Sequence, residues 1–171
     1  MEPFGEERGE RNVTETLSSD TAVMTDATEQ THQAWHRFTP ESVEGRMLSA
    51  ISTELGTSLA PRALALSSGV RAEVDGAAPD NSILVKLVPT QGTVKSAHRN
   101  RVLADMLKLT WLRTSAVPRA RLVLGITEGI APYFGVTSWP SQAAVDLGVD
   151  VYICTENGAS RLIPAPDNHD T

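Results

Sequence analysis

The stretch Ser82-Ile83-Leu84-Val85-Lys86-Leu87-Val88 decides the fold of this chain. Apart from Lys86, its apolar residues are typical of a strand that is buried on both faces at the centre of a sheet. A lysine inside such a strand is unfavourable unless an anionic group contacts it. The fold and the function therefore both depend on what surrounds Lys86.

An acidic residue stands at the end of the preceding strand. The segment 70–76 alternates polar and apolar residues and reaches Asp75 just before Gly76. An acid at one strand end, with an ionisable residue in the next strand, is the arrangement of a metal-dependent nuclease site. Lys86, however, has the wrong charge for that arrangement.

The remaining segments predict an α/β fold, in which a mixed central sheet is flanked by helices. Strands close enough for hairpins come first, and later strands alternate with helices. The expected elements are a helix over 40–55, strands over 62–67, 70–75 and 82–88, a helix over 95–114, a strand over 120–126, a helix between Ser138 and Gly148, and a strand over 149–154.

The chain of 171 residues divides into three parts by composition. Residues 1–38 have few large apolar side chains and are predicted to be a disordered acidic tail. Residues 39–157 are predicted to form the α/β domain, and 158–171 a C-terminal tail. Eight acids and three bases fall within 1–40, which accounts for most of the net charge of −6.

Composition also excludes several classes of protein. No apolar run approaches the roughly 18–20 residues that span a bilayer, and no secretory signal is visible. A single cysteine, Cys154, rules out an internal disulfide. Gly-rich phosphate loops, paired CxxC motifs, Ser-His-Asp spacing and HExxH are absent. We expect a cytoplasmic protein with no membrane partner.

Glu54 is a second candidate site residue. At 100° per residue it falls on the apolar face of the first predicted helix, close to Val43 and Ile51. An acid on that face lies either at the open edge of the core or in a site.

Together these segments resemble the restriction-endonuclease-like PD-(D/E)XK nuclease superfamily, in the form of a small bacterial member with a degenerate core motif. The resemblance covers about 41–155. The residues that carry it are Glu54, Val74-Asp75-Gly76, Leu84-Val85-Lys86, Gly92-Thr93-Val94-Lys95, Arg101-Val102 and Asp105-Met106-Leu107-Lys108-Leu109.

The resemblance implies a Mg²⁺ ion held between an acid at the Asp75 position and an acid on the following strand, with a lysine that helps to activate water. In this chain Lys86 stands at the second acid's position, and Val88 stands where the motif has its lysine. Only Asp75 and Glu54 would remain as carboxylates for a metal. We therefore expect no cofactor, or Mg²⁺ if the protein is active.

Three arrangements around Lys86 are open at this point. Its ammonium group could lie between Asp75 and Glu54 and balance their charge. Alternatively, the strand 82–88 could lie at a sheet edge and Lys86 could extend to water. In the third arrangement, an active site uses other residues.

A basic segment indicates a possible contact with nucleic acid. Residues 86–121 contain eight lysines and arginines and one acid, Asp105. The candidates for phosphate contact are Lys95, Arg99, Arg101 and Lys108. The alternative is a solvated helix face, on which Asp105 only pairs with Arg101 and Lys108 along the helix.

Three functions fit the sequence. The first is a nuclease-fold domain with a degraded metal site, acting as a DNA-binding or assembly subunit. The second is a divergent, active Mg²⁺-dependent endonuclease. The third is an α/β module that binds another protein, or a second copy of itself, without nucleic acid.

Overall fold

The computed structural model describes residues 38–164, and the predicted disordered tail lies outside them except for Phe38. The elements are α1 (Val43–Leu55), β1 (Ala60–Ala65), β2 (Arg71–Ala77), β3 (Ile83–Val88), α2 (Ser96–Ser115), β4 (Arg121–Thr127), a 3-10 helix (Glu128–Phe134), α3 (Trp139–Asp146), β5 (Val149–Thr155) and β6 (Gly158–Ile163). Among these residues, no helix has the length and apolar character needed to cross a membrane.

The six strands form one mixed sheet in the order β1-β2-β3-β4-β5-β6. The pairs β1/β2, β2/β3 and β5/β6 are antiparallel, whereas β3/β4 and β4/β5 are parallel. This confirms the predicted α/β class with a mixed sheet flanked by helices. It also places β3 between two strands, so the alternative of an edge position for 82–88 is wrong.

Two hydrophobic layers cover the two faces of the sheet. On one face, here called the α1 side, Met47, Leu48 and Ile51 of α1 pack against residues that include Val85 and Leu87. On the other, the α2 side, α2, the 3-10 helix and α3 pack against residues that include Leu84 and Val88. Because strand residues alternate, Lys86 points to the α2 side.

The close approach of α1 to the sheet requires a glycine at the centre of the sheet, on β4. A methyl group on Gly125 of β4 would lie only 2.7 Å from both Ile51 Cδ1 and Leu87 Cδ2. Ile51 and Leu87 are fully buried and have little room to move. Gly125 thereby fixes how α1 sits on the sheet.

Helix ends follow capping chemistry, with small shifts from the predicted bounds. Ser42 caps α1, which begins at Val43 rather than at residue 40, and the Ser42 hydroxyl accepts a hydrogen bond from the Gly45 N–H. Gly56 ends the helix in the left-handed conformation. Ser138 caps α3. The segment after β4, for which no element was predicted, forms the 3-10 helix.

The predicted C-terminal tail from 158 is partly wrong, because β6 is the last strand of the sheet. It pairs with β5 through a hairpin in which Thr155 opposes Gly158. An edge strand exposes polar side chains such as Ser160 and Arg161, and this weakens its apolar pattern. The Asn157-Gly158 pair was the signal for the turn. The tail boundary at 38 also shifts, because Phe38 packs on the α1-side core.

Candidate functional site

The site begins where β2 separates from β3. The two strands pair at Gly76↔Val85 and Ala77↔Leu84. Beyond these pairs, the N–H of Leu87 donates a hydrogen bond of 2.8 Å to Oδ2 of Asp75 instead of to a β2 carbonyl. The carbonyl of Leu87 accepts one of 3.1 Å from Arg101 of α2. Two side chains thus satisfy the backbone groups that the strand separation leaves open.

Lys86 lies between two buried carboxylates in this gap. Its Nζ is 2.9 Å from Oδ2 of Asp75 and 3.6 Å from Oδ1 of Asp105. Asp75, Lys86 and Asp105 are 2%, 6% and 8% exposed. Such burial is tolerable for an ammonium group only because both carboxylates face it.

Arg101 joins the group from the helix. Its Nε lies 3.6 Å from Oδ2 of Asp105, one helical turn away, in addition to its bond to the Leu87 carbonyl. Asp75, Lys86, Arg101 and Asp105 are called the ion cluster below. Two cations and two anions make the cluster neutral as a whole.

Asp105 has the least favourable environment of the acids in the ion cluster. Burial raises the pKa of its carboxyl, and the Lys86 ammonium group acts in the opposite direction. Its Oδ2 is buried and accepts no hydrogen bond from the residues that the structure describes. This oxygen is the one that faces Nε of Arg101 at 3.6 Å, a distance within ion-pair range but longer than a hydrogen bond.

Lys108 lies one turn further along α2. Burial lowers its pKa, and the positive charge of Lys86 lowers it further. Lys108 is only half-buried, so it borders the ion cluster rather than belonging to it.

The structure brings together some of the predicted site residues and separates others. Asp75 and Lys86 are in contact, but Glu54 is exposed on α1, on the opposite side of the sheet. Glu54 comes after Ile51, the last fully buried residue of α1, and its side chain is exposed although the neighbouring Leu55 packs against the core. Asp105, which the sequence indicated only as a helix-pair residue, takes the position expected for Glu54.

The sequence did contain a signal for Asp105. It lies three residues after Val102 and four before Leu109, and both of these are fully buried. The same helical spacing that favoured Glu54 places Asp105 on the buried face of α2. Leu107, two residues further along α2, is exposed.

The predicted nucleic-acid contacts divide into two groups. Lys95 and Arg99, at the start of α2, are exposed. Arg101 and Lys108 are partly buried and lie in or beside the ion cluster. His98 accepts a hydrogen bond from the Lys95 N–H through Nδ1, so it closes the first turn of the helix.

A divalent metal does not fit the ion cluster as it stands. Mg²⁺ requires several oxygen ligands in near-octahedral geometry. The ammonium group of Lys86 lies between the two carboxylates, and Asp75 already accepts the Leu87 N–H. Among the described residues, no group of three or more His, Cys, Asp and Glu side chains could hold a metal.

A third buried acid, Asp150, lies on the α1 side. Its carboxylate is 2.5 Å from Nε of Arg121 and 3.6 Å from Nε of Arg161. Both arginines also donate to the hydroxyl of Tyr152. This arrangement joins β4, β5 and β6, and we read it as support for the sheet edge.

Comparison with known proteins gives one similar solved structure. No protein-family model matches the sequence, and no curated protein is significantly similar. The crystal structure of an XisH family protein from Nostoc punctiforme PCC 73102 shares 16% identity, with a TM-score of 0.46 over 63% of this chain and 86% of that one. At this level of similarity, a function does not transfer from one chain to the other.

Replacing Lys86 by Met tests the ion cluster. The variant leaves Asp75 and Asp105 facing each other without their shared cation, so we expect a loss of about 3–5 kcal/mol in the free energy of unfolding. Urea denaturation measures it. Lys108→Met, on the border of the cluster, should change stability by less than about 1 kcal/mol. A similarly small effect for Lys86→Met would mean that Lys86 is hydrated.

The pH dependence of stability tests the environment of Asp105. A carboxyl whose pKa is raised on folding ionises less readily in the folded state, so its contribution to stability falls as pH rises from its ordinary value of 3.8 through the raised pKa. Asp105→Asn lacks this titration. Urea unfolding across that window should show wild-type stability declining relative to Asp105→Asn. A relative increase would show that attraction to Lys86 outweighs burial.

Proposed function

We propose that this protein is a nuclease-like α/β domain that binds duplex DNA without cleaving it. The observation that carries the proposal is the position of Lys86, whose ammonium group lies between two buried carboxylates at the end of β2. A fixed cation at this point replaces the charge that a metal ion would supply. Such a site is stable without metal and lacks the means to activate water.

Electrostatics oppose a metal ion beside Lys86. At an effective dielectric constant of 20, a divalent ion 4 Å from a single positive charge is repelled by roughly 8 kcal/mol. Most of the attraction of Asp75 and Asp105 is already directed to Lys86 and Arg101. Metal binding would therefore require Lys86 to leave its position.

The surface that remains for DNA is the first turn of α2. Lys95 and Arg99 are exposed there, four residues apart on one helix face. The free N–H groups at a helix start also favour phosphate oxygens. Because these contacts are with the backbone, we expect little dependence on DNA sequence.

An interaction module is the second candidate, and one observation favours it. Leu107 and Trp111, four residues apart on α2, are 69% and 40% exposed. Exposed apolar residues at helical spacing are typical of a protein contact. The two functions are compatible, because this pair lies outside the first turn of α2.

A metal titration tests the degraded site. By calorimetry with Mg²⁺ and Mn²⁺, we expect no specific binding to the wild type, and measurable binding to Lys86→Glu, which provides a third carboxylate. Lys108→Glu makes the same charge change beside the cluster and serves as the control. The melting temperature of Lys86→Glu should rise with metal, because the ion replaces the lost cation.

Plasmid nicking completes that test. The wild type should not nick DNA in the presence of magnesium. If it does, and if Asp75→Ala abolishes the activity, the protein is an active divergent endonuclease and the proposal is wrong.

Salt-dependent binding tests the DNA surface. Duplex affinity should fall as salt rises, through counterion release, and Lys95→Ala/Arg99→Ala should reduce the slope of log affinity against log salt by about 2. Arg46→Ala/Arg71→Ala removes two exposed bases elsewhere and should leave the slope unchanged. No binding at the lowest salt tested would favour the interaction module.

A further inference from the structure

A cavity of about 340 Å³ opens beside the proposed DNA surface. It lies between the start of α2, the 3-10 helix and the start of α3, and its lining includes Val94, Arg99, Gly129, Tyr133, Ser138 and Trp139. Its volume is at the lower end of the range for small-ligand pockets, roughly 300–1,000 Å³. That size suits one flat ring system better than an extended cofactor.

The lining combines aromatic rings with one positive charge. The guanidinium carbon of Arg99 lies 5.6 Å from the centre of the Tyr133 ring. Tyr133 in turn meets the Trp139 ring edge-on, with centres 6.5 Å apart. Trp139 remains 62% exposed, so much of its indole surface is open to a ligand.

This chemistry selects a flat, anionic ligand. Aromatic side chains stack on nucleobases of any sequence. Among residues 38–164, Arg99 is the one lining side chain that carries a full charge, and it would meet the attached phosphate. Within the same range no acid lines the cavity to oppose it.

We infer that the cavity binds a nucleobase together with its phosphate, presented by a nucleic-acid strand as an unpaired base. The inference rests on the proposed function, because Arg99 belongs to both surfaces. The first turn of α2 holds the duplex backbone, and a base outside the stack enters beside Tyr133 and Trp139. The preferred substrate is then a duplex with a bulged or frayed nucleotide.

Gly129 permits a steric test that changes no charge. A methyl group there would lie 3.5 Å from Val94 Cγ2, an ordinary contact across the cavity wall, so Gly129→Ala should fit. The larger side chain of Gly129→Leu occupies space between two lining residues. Trp139→Ala removes the exposed ring instead, and provides a second variant if Gly129→Leu folds poorly.

Three labelled DNA duplexes separate the outcomes by fluorescence anisotropy: one fully paired, one with a single bulged nucleotide, and one with an abasic residue at the bulge. We expect the bulged base to raise affinity about tenfold over the abasic bulge, in the range that stacking of one base provides. Gly129→Leu and Trp139→Ala should abolish this difference and leave affinity for the paired duplex unchanged. Gly129→Ala should retain it.

The two proposals fail in different ways. Equal affinity for the bulged and abasic duplexes overturns the base site, even if the paired duplex binds and the DNA-binding proposal stands. Loss of all duplex binding overturns the proposed function. A mononucleotide such as AMP that competes away the tenfold preference supports the cavity as the base site. If AMP binds but the three duplexes have equal affinity, the cavity is a site for free nucleotides. That result overturns the inference that it binds an unpaired base of a nucleic-acid strand.

Discussion

The carboxylate of Asp75 carries the interaction on which the rest of the site depends. It accepts the N–H of Leu87 where β2 leaves β3, and it contacts the ammonium group of Lys86. One side chain therefore substitutes for a missing strand pair and neutralises a buried cation. Without it, the core strand would have an open backbone donor, and Lys86 would keep only the more distant carboxylate of Asp105.

That constraint determines the position of α2. Arg101 caps the carbonyl of Leu87, and Asp105 completes the charge balance of Lys86. The apolar face formed by Val102, Met106 and Leu109 packs the same helix on the sheet. With its middle fixed in this way, α2 presents Lys95 and Arg99 at one end, beside the aromatic cavity.

The ion cluster and the exposed bases of α2 differ in how strongly they attract ions from solvent. The ion cluster is neutral and buried, so it offers little attraction to either a metal or a phosphate. The exposed bases stand outside it, where solvent-borne phosphates can reach them. The exposed bases of α2 therefore offer an anion more attraction than the buried ion cluster does.

The sequence alone determined the order of the elements from α1 to β5, apart from the 3-10 helix, and the unusual place of Lys86, because hydrophobic periodicity can be read from local sequence. It also indicated Asp75, since strand ends can be read from turn residues. Which second acid would reach Lys86 was decided only by tertiary structure. Glu54 and Asp105 both lie at helical spacing from apolar residues. Their helices, α1 and α2, cover opposite faces of the sheet, and Lys86 points only to the α2 side. The sequence did not predict strand β6 either, because an edge strand is stabilised by its neighbour more than by its own apolar residues.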